Sequence, residues 1–502
     1  MNWQEETDVV VVGCGFAGVA AAIAAHDAGA KVLLVEKMPF PGGISILAGG
    51  GICVARDAEK AFSYLKATNA GTSPDEVLRA LAEGMASIHE FVGPLAEACG
   101  ARIGFVDRTP NYPFPGRETF RFLTIQEVPG FDRAADYPHA HTYGLGPNFF
   151  KVCHENLRLR GIEVRLSCPA RRLLRGEDGA VAGVRVEHDG RQRDIRARRG
   201  VVLACGGFEA DAELQARYWQ GKPVLKAAHR GNTGDGIRMA QALGADLWHM
   251  WHYHGSYGFR HTDPDFDFGI RTKKLPDYIV GERVREGVLM PWILLDRDGR
   301  RFMNEHEPYL SDTGWRPLER FRPETQDYPR IPCWMLLDEV GRQRFPLGQP
   351  VWNDAHIAYH WSQDNLKEVE YGILTRADSL EEAAAVARID AAALTDSVHR
   401  WNGFCAEGRD SDFGRPPEAM MPLETPPYYL AEIWPVVSNT QGGPVHDARQ
   451  RIIDVFGEPI PRLYAAGELG SVFGHLYVSG GNLAECFIGG RTAGIEAAGS
   501  RG

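Results

Sequence analysis

Long runs of lysine or arginine are missing from this 502-residue sequence, whose 55 basic and 66 acidic residues leave a formal net charge of −11. Nucleic acids and anionic membranes are held by basic patches, so neither is expected as the main partner. Paired cysteines are missing as well. The nine present (Cys14, Cys53, Cys99, Cys153, Cys168, Cys205, Cys333, Cys405 and Cys486) are odd in number and form no CxxC or CxxCH. That pattern argues against a disulfide frame, a zinc site and a c-type haem, and a reducing cytoplasm suits it best. No stretch is long and apolar enough to cross a bilayer, and the acidic start, residues 1–6, lacks the basic and apolar segments of a secretory signal. What is there is a hydrophobic content of 44% in a chain long enough for two or three folded domains.

The first forty residues carry the densest signal. Asp8-Val9-Val10-Val11-Val12 is a β-branched run suited to a strand buried on both faces of a parallel sheet. Gly13-Cys14-Gly15-Phe16-Ala17-Gly18 follows at once, then a small-residue helix over 19–25, a second strand over 31–35, and Glu36. This order predicts a dinucleotide-binding unit. The first two glycines let the backbone turn sharply and approach a pyrophosphate, and the third lets helix and strand close up. The helix N-terminus faces the anion, and Glu36 accepts the ribose hydroxyls. Residues 201–205, ending in Gly206-Gly207, read as a later strand returning to the same sheet. A second GxGxxG is missing, so no separate NAD(P)H domain is expected. Ser73-Pro74-Asp75-Glu76 and Ser379-Leu380-Glu381-Glu382 have capping-box spacing and predict two helix starts. Pro416-Pro417, Pro422 and Pro426-Pro427 mark a linker-like stretch before a predicted strand over 433–437.

Further motifs follow in order: Pro41-Gly42-Gly43-Ile44-Ser45 running to Ala48-Gly49-Gly50, then Gly231-Asn232-Thr233-Gly234-Asp235-Gly236, then Asp296 through Asn304-Glu305. Near the C-terminus Ala465-Ala466-Gly467-Glu468 precedes Ser479-Gly480-Gly481-Asn482-Leu483. With the N-terminal unit they resemble the fumarate reductase and 3-ketosteroid dehydrogenase flavoprotein superfamily over nearly the whole chain. The resemblance implies an α/β fold with a discontinuous Rossmann-like FAD-binding domain, residues 1–265 and 435–502. An α+β catalytic or capping domain, residues 266–434, is inserted between them. It implies FAD contacts at Gly13, Gly15, Phe16, Ala17 and Gly18, at Glu36 and Lys37, and at Gly43, Ile44, Ser45, Ala48, Gly49 and Gly50. The implied set continues with Ala170, Ala204, Gly206, Gly207 and Asp235, and ends with Glu468, Gly480, Asn482 and Leu483. Some members attach FAD through a histidine; Ile44 stands at the corresponding position, so noncovalent FAD is implied.

The resemblance also bears on the substrate. Dicarboxylate reductases of the superfamily clamp their substrate with arginine and histidine and deliver a proton from an arginine after Asn-Glu. Here Asn304-Glu305 leads into His306-Glu307-Pro308-Tyr309, and the other two clamp positions correspond to Val478 and Asn439. Two buried carboxylates without those partners are costly, so a fumarate-like diacid is not expected. Pro308-Tyr309 and Tyr477-Val478-Ser479-Gly480-Gly481 resemble instead the tyrosine motifs of the 3-ketosteroid Δ1- and Δ4-(5α)-dehydrogenases. Removing hydrogen across a C–C bond beside a carbonyl needs a donor to the oxygen, a base for the α proton and a hydride acceptor. Tyrosine suits the first two and offers an apolar ring.

The implied roles are a carbonyl clamp by the Tyr477 hydroxyl with the Gly481 N–H, proton transfer by Tyr309, and Ser479 as helper. The implied reaction oxidises a small cyclic or otherwise apolar ketone to its α,β-unsaturated form and passes electrons to a quinone, another carrier or oxygen. An ene-reductase acting on an activated enone or a mono-acid, and a flavin sensor without turnover, are the alternatives. Leu476 and Val478 depart from the Pro-Gly-Pro of the Δ1 enzymes, which leaves the ring open, and one arginine elsewhere would suffice to hold a single carboxylate. The aromatic segments 112–144 and 248–254 are candidates for pocket walls or a further tyrosine; His249, His252 and His254 are not expected to hold a metal.

Overall fold

The structure, a computed structural model, describes residues 3–110, 112–275, 288–350 and 352–500. Strand β1 (Glu5–Val12) lies inside an eight-stranded sheet, in parallel register with β2 (Val32–Val35) on one side and β3 (Arg191–Leu203) on the other. Val9 and Val11 enter one core cluster and Val10 and Val12 another, so both faces of the strand are covered. That double burial is why an unbroken valine run fits where an alternating pattern would not. Between β1 and β2, helix α1 (Phe16–Asp27) is buried from Phe16 through Ala25, its alanines allowing close packing on the sheet.

The turn joining β1 to α1 tolerates no side chains at two points. Gly13 has φ +105°, and a Cβ there would stand 2.4 Å from the Ala204 carbonyl oxygen; at Gly18 a Cβ would stand 1.8 Å from the Gly13 oxygen. The predicted return strand is β3, and it is longer than expected: its first half, Arg191–Arg196, forms an antiparallel hairpin with Gly183–His188.

A second, seven-stranded sheet is mostly antiparallel. In it β4 (Tyr253–Arg260) pairs with β5 (Gly269–Arg271) on one edge and with β6 (Tyr428–Thr440) on the other. The predicted strand over 433–437 falls inside β6, which also pairs with Cys333–Asp338. Tyr257, Phe259, Trp292 and Ile433 form its apolar core. Strand Leu225–Lys226 and β4 precede residue 266, and β6 runs on to Thr440, so this sheet draws on residues to either side of the expected boundaries.

The chain then returns to the first sheet. Strand β7 (Pro459–Ala465) pairs in parallel with β3, and helix α2 (Gly481–Gly499) lies along α1. The helices approach backbone to backbone: Cβ atoms at Gly490 and Gly494 would come within 2.4 and 2.3 Å of the Ala17 and Ala21 oxygens. The two ends of the chain therefore build one layer.

One of the two expected N-caps forms, with the reciprocal carboxylate bond displaced from the Ser379 N–H to that of Asp378. Ser379 Oγ accepts from the Glu382 N–H at 3.2 Å ahead of helix Leu380–Ala387, and the Glu382 carboxylate accepts from the Asp378 N–H. Ser73 does not cap helix Asp75–Ser87: its hydroxyl donates to the Val472 oxygen at 2.8 Å, and Pro74 takes the cap position. A tertiary partner outcompetes the local one. Among the described residues no helix is long and apolar enough to cross a membrane.

Candidate active site

A cavity of about 480 Å³ extends from the glycine turn past the N-terminus of α2 to β4 and β5. At one end its wall includes Gly13, Gly15, Ala17, Glu36, Lys37, Ala170, Ala204, Gly206 and Asp235. Gly43, Ile44, Ser45, Ala48, Gly49 and Gly50 continue it, opposite Glu468, Gly480, Asn482 and Leu483. Tyr477, Ser479, His254 and Asn439 also line the cavity, as does Arg271.

Five residues proposed from sequence stand outside this wall. Phe16 points into the core against Phe149 and Phe487, with centroids 6.0 and 5.2 Å away. Gly18 lies beneath Gly13, and Gly207 is packed against Thr440 and Glu468. The Gly481 N–H already donates to the Val478 oxygen at 2.7 Å. It is therefore committed to its own turn, and this corrects its assignment to a carbonyl clamp. Tyr309, at φ +64°, has its ring 4.7 Å from that of Tyr112, which is not on the wall either.

The acidic groups have distinct environments. Glu36 is buried and accepts from the Cys14 and Met38 N–H groups, both at 2.8 Å; burial raises its pKa, and those N–H groups oppose the rise. Lys37 Nζ donates to Asp235 and Thr233, each at 2.6 Å. Asn232 Nδ2 donates to Glu209 at 2.8 Å and to Glu468 at 3.2 Å, joining two buried carboxyls. Glu468 also accepts from the Thr440 N–H at 2.9 Å, and burial pushes it up to about 7.

Behind the first turn of α2, Glu485 accepts from the Val472 N–H at 2.7 Å and from Asn482 Nδ2 at 3.1 Å. Burial pushes Glu485 up to about 8 from 4.5. A carboxyl whose folded pKa is raised binds its proton more tightly in the folded state. Its contribution is complete below the unfolded pKa and is lost as pH rises to the folded one. Urea denaturation will therefore show wild type losing stability relative to Glu485→Gln between about pH 5 and pH 8, by at most about 1.4 kcal/mol per pH unit. Parallel pH profiles for the two proteins would contradict this.

The Tyr477 hydroxyl accepts from the Gly480 N–H at 3.1 Å, and its ring stacks on His254 with centroids 4.0 Å apart. His254 in turn contacts Asp312 Oδ1 at 3.0 Å and Asn439 Oδ1 at 3.2 Å. Burial, and secondarily Asp312, raise the Tyr477 pKa, so its O–H stays protonated and able to donate. Tyr112 is buried near this group, and its hydroxyl has no hydrogen-bond partner among the described residues. His249 and His252 bond backbone oxygens at Thr72, Ser471 and Phe473, and no metal-holding cluster is present among the described residues. His254 and Asp312 were not singled out by sequence as partners. His254 looks like its histidine neighbours until strand register turns it toward the cavity.

The wall fits a dinucleotide. Gly15, the N-cap of α1, has no side chain to cap the first-turn N–H groups, of which that of Phe16 donates to Ser45 Oγ at 3.2 Å, and it faces the cavity beside Ser45, whose Oγ would stand 3.1 Å from a Cβ at that glycine. That is a narrow, anion-favouring approach with Glu36 beyond it.

Known proteins agree. The model of the FAD binding domain family matches residues 8–483. The fumarate reductase (cytochrome) of Shewanella frigidimarina is 28% identical over 505 residues, spanning 99% of this chain and 77% of that protein. The 3-oxosteroid 1-dehydrogenase of Mycolicibacterium smegmatis is 27% identical over 584 residues, spanning 98% and 97%. The solved 3-ketosteroid Δ1-dehydrogenase from Sterolibacterium denitrificans shares the fold with a TM-score of 0.80 at 24% identity, over 99% of this chain and 100% of that one. With a glycine turn built for a dinucleotide and a family match over nearly its whole length, the chain belongs to the FAD binding domain family and is an FAD-dependent oxidoreductase.

Proposed function

We propose that this protein desaturates the C–C bond next to a ketone in an apolar, cyclic, ketosteroid-like substrate. The observation that carries the reading is Tyr477, a protonated phenol on the cavity wall beside the first turn of α2. Its O–H polarises the substrate carbonyl, which acidifies the α carbon. Tyr309, as its phenolate, takes the α proton, with Ser479 on the cavity wall as helper. His254, stacked on Tyr477 and tethered to Asp312 and Asn439, fixes the phenol's position.

In this reading FAD is held noncovalently by the Rossmann-like unit at the two ends of the chain, with residues 266–434 as the capping insertion. Glu36, Ser45, Asp235, Glu468 and the turn at Gly480 hold it, and Ile44 offers no side chain for a covalent bond. When bound, FAD supplies the acceptor for the hydride leaving the β carbon. A quinone, another carrier or oxygen then removes the electrons.

Incubating the holoprotein with a saturated cyclic ketone and an artificial electron acceptor should yield the α,β-unsaturated ketone, identified by mass spectrometry. Conversion of the enone to the saturated ketone by dithionite-reduced protein, with no forward product, would establish the ene-reductase instead.

A further inference from the structure

Arg271 ends β5, opposite Gly258 of β4, and its side chain lines the cavity. It makes no side-chain hydrogen bond and no ion pair with any described residue. Other enclosed arginines of this protein are matched. Arg301 pairs with Glu305 at 2.7 Å and Asp410 at 3.1 Å, Arg342 pairs with Glu339 at 2.5 Å, and Arg415 donates to the Trp292 and Met290 oxygens at 2.8 and 2.5 Å. Burial draws the Arg271 pKa down to about 10, and no carboxylate among the described residues opposes the fall. A guanidinium kept in the cavity wall without a counter-charge among the described residues is a site for an anion from outside the chain.

The position of Arg271 selects which anion. Pyrophosphate belongs at the N-terminus of α1 on the first sheet, beside Gly13 and Gly15. Arg271 stands on the second sheet, next to the strand that carries His254, whose ring stacks on Tyr477. Gly258 and His254 lie four residues apart on β4, about 13 Å along the strand. The cation and the phenol thus occupy separated stations on one wall.

We propose that Arg271 receives a carboxylate of the substrate, so that the natural substrate is a keto acid with its ketone at Tyr477 and a single carboxylate on Arg271. This rests on the ketone-desaturating reading and narrows its substrate class. The planar fork of arginine matches a carboxylate through two parallel N–H···O bonds. One carboxylate needs one arginine, consistent with Val478 and Asn439 standing where diacid reductases carry their clamp.

The test is isothermal titration calorimetry of the holoenzyme with 4-oxocyclohexanecarboxylate and with its methyl ester. Wild type should bind the acid about tenfold or more tightly than the ester, and Arg271→Gln should weaken the acid by a similar factor while leaving the ester within about twofold. Arg271→Lys should regain part of the loss, and all three proteins should keep equal FAD content. Equal affinity for acid and ester in wild type, no detectable binding of the acid, or an unchanged acid affinity in Arg271→Gln overturns the proposal. So does loss of FAD from Arg271→Gln, which would assign the arginine to a cofactor phosphate. Enone formation from the ester reads the ketone chemistry separately. If neither probe is desaturated yet acid binding still depends on Arg271, the desaturation reading fails and the carboxylate site stands.

Discussion

Tyr477→Phe lowers kcat by about 10²- to 10⁴-fold with FAD still bound, the range expected when a positioned proton donor is removed. The phenol keeps its proton at neutral pH because it is buried and faces Asp312, so in the proposed reaction it donates to a carbonyl oxygen on which negative charge develops. The ring remains in the phenylalanine variant and still stacks on His254. What is lost is the O–H and the acceptor for the Gly480 N–H, a local cost of about 1–3 kcal/mol that leaves the fold in place. Tyr309→Phe is expected to lose turnover too. Steady-state kinetics beside the flavin spectrum of each purified variant separates the two effects, and full activity in both would remove the tyrosines from the mechanism.

Gly18→Val gives a protein that does not retain FAD. A Cβ at residue 18 would stand 1.8 Å from the Gly13 oxygen, inside the turn that brings α1 against β1. That contact involves backbone, which cannot rotate aside, so α1 must move off the sheet and carry the anion-facing N-terminus with it. Helix α2 moves as well, because its Gly490 and Gly494 touch the backbone of α1. The loss is read as flavin absorbance per mole of purified protein; stoichiometric FAD in Gly18→Val would show that the turn is not the cofactor cradle.

The parts of this site legible in the sequence are those set by local sterics. The valine run of β1, the glycines at 13 and 18, and the acidic residue closing β2 each answer a constraint within about thirty residues of chain. The tyrosine at 477 was reached instead through its resemblance to the tyrosine motifs of the 3-ketosteroid dehydrogenases, ahead of the glycine turn that opens α2. The relation of His254 to Asp312 and Asn439 was not, because it depends on the register of β4 against β6. Arg271 was hidden in the same way: only the pairing of β5 with β4 brings it to the cavity. Ser73 shows the converse error, a sound local signal overruled by the Val472 carbonyl. The Gly481 N–H was misassigned because its bond to Val478 exists only in the folded turn.

The most direct test of ketone desaturation is a single half-reaction. Holoprotein is mixed anaerobically with a saturated cyclic ketone, without added reductant, and the oxidised flavin band at about 450 nm is followed. The account predicts bleaching together with one equivalent of enone per flavin. A flavin that no saturated ketone bleaches, but whose colour an enone restores after dithionite reduction, would contradict it.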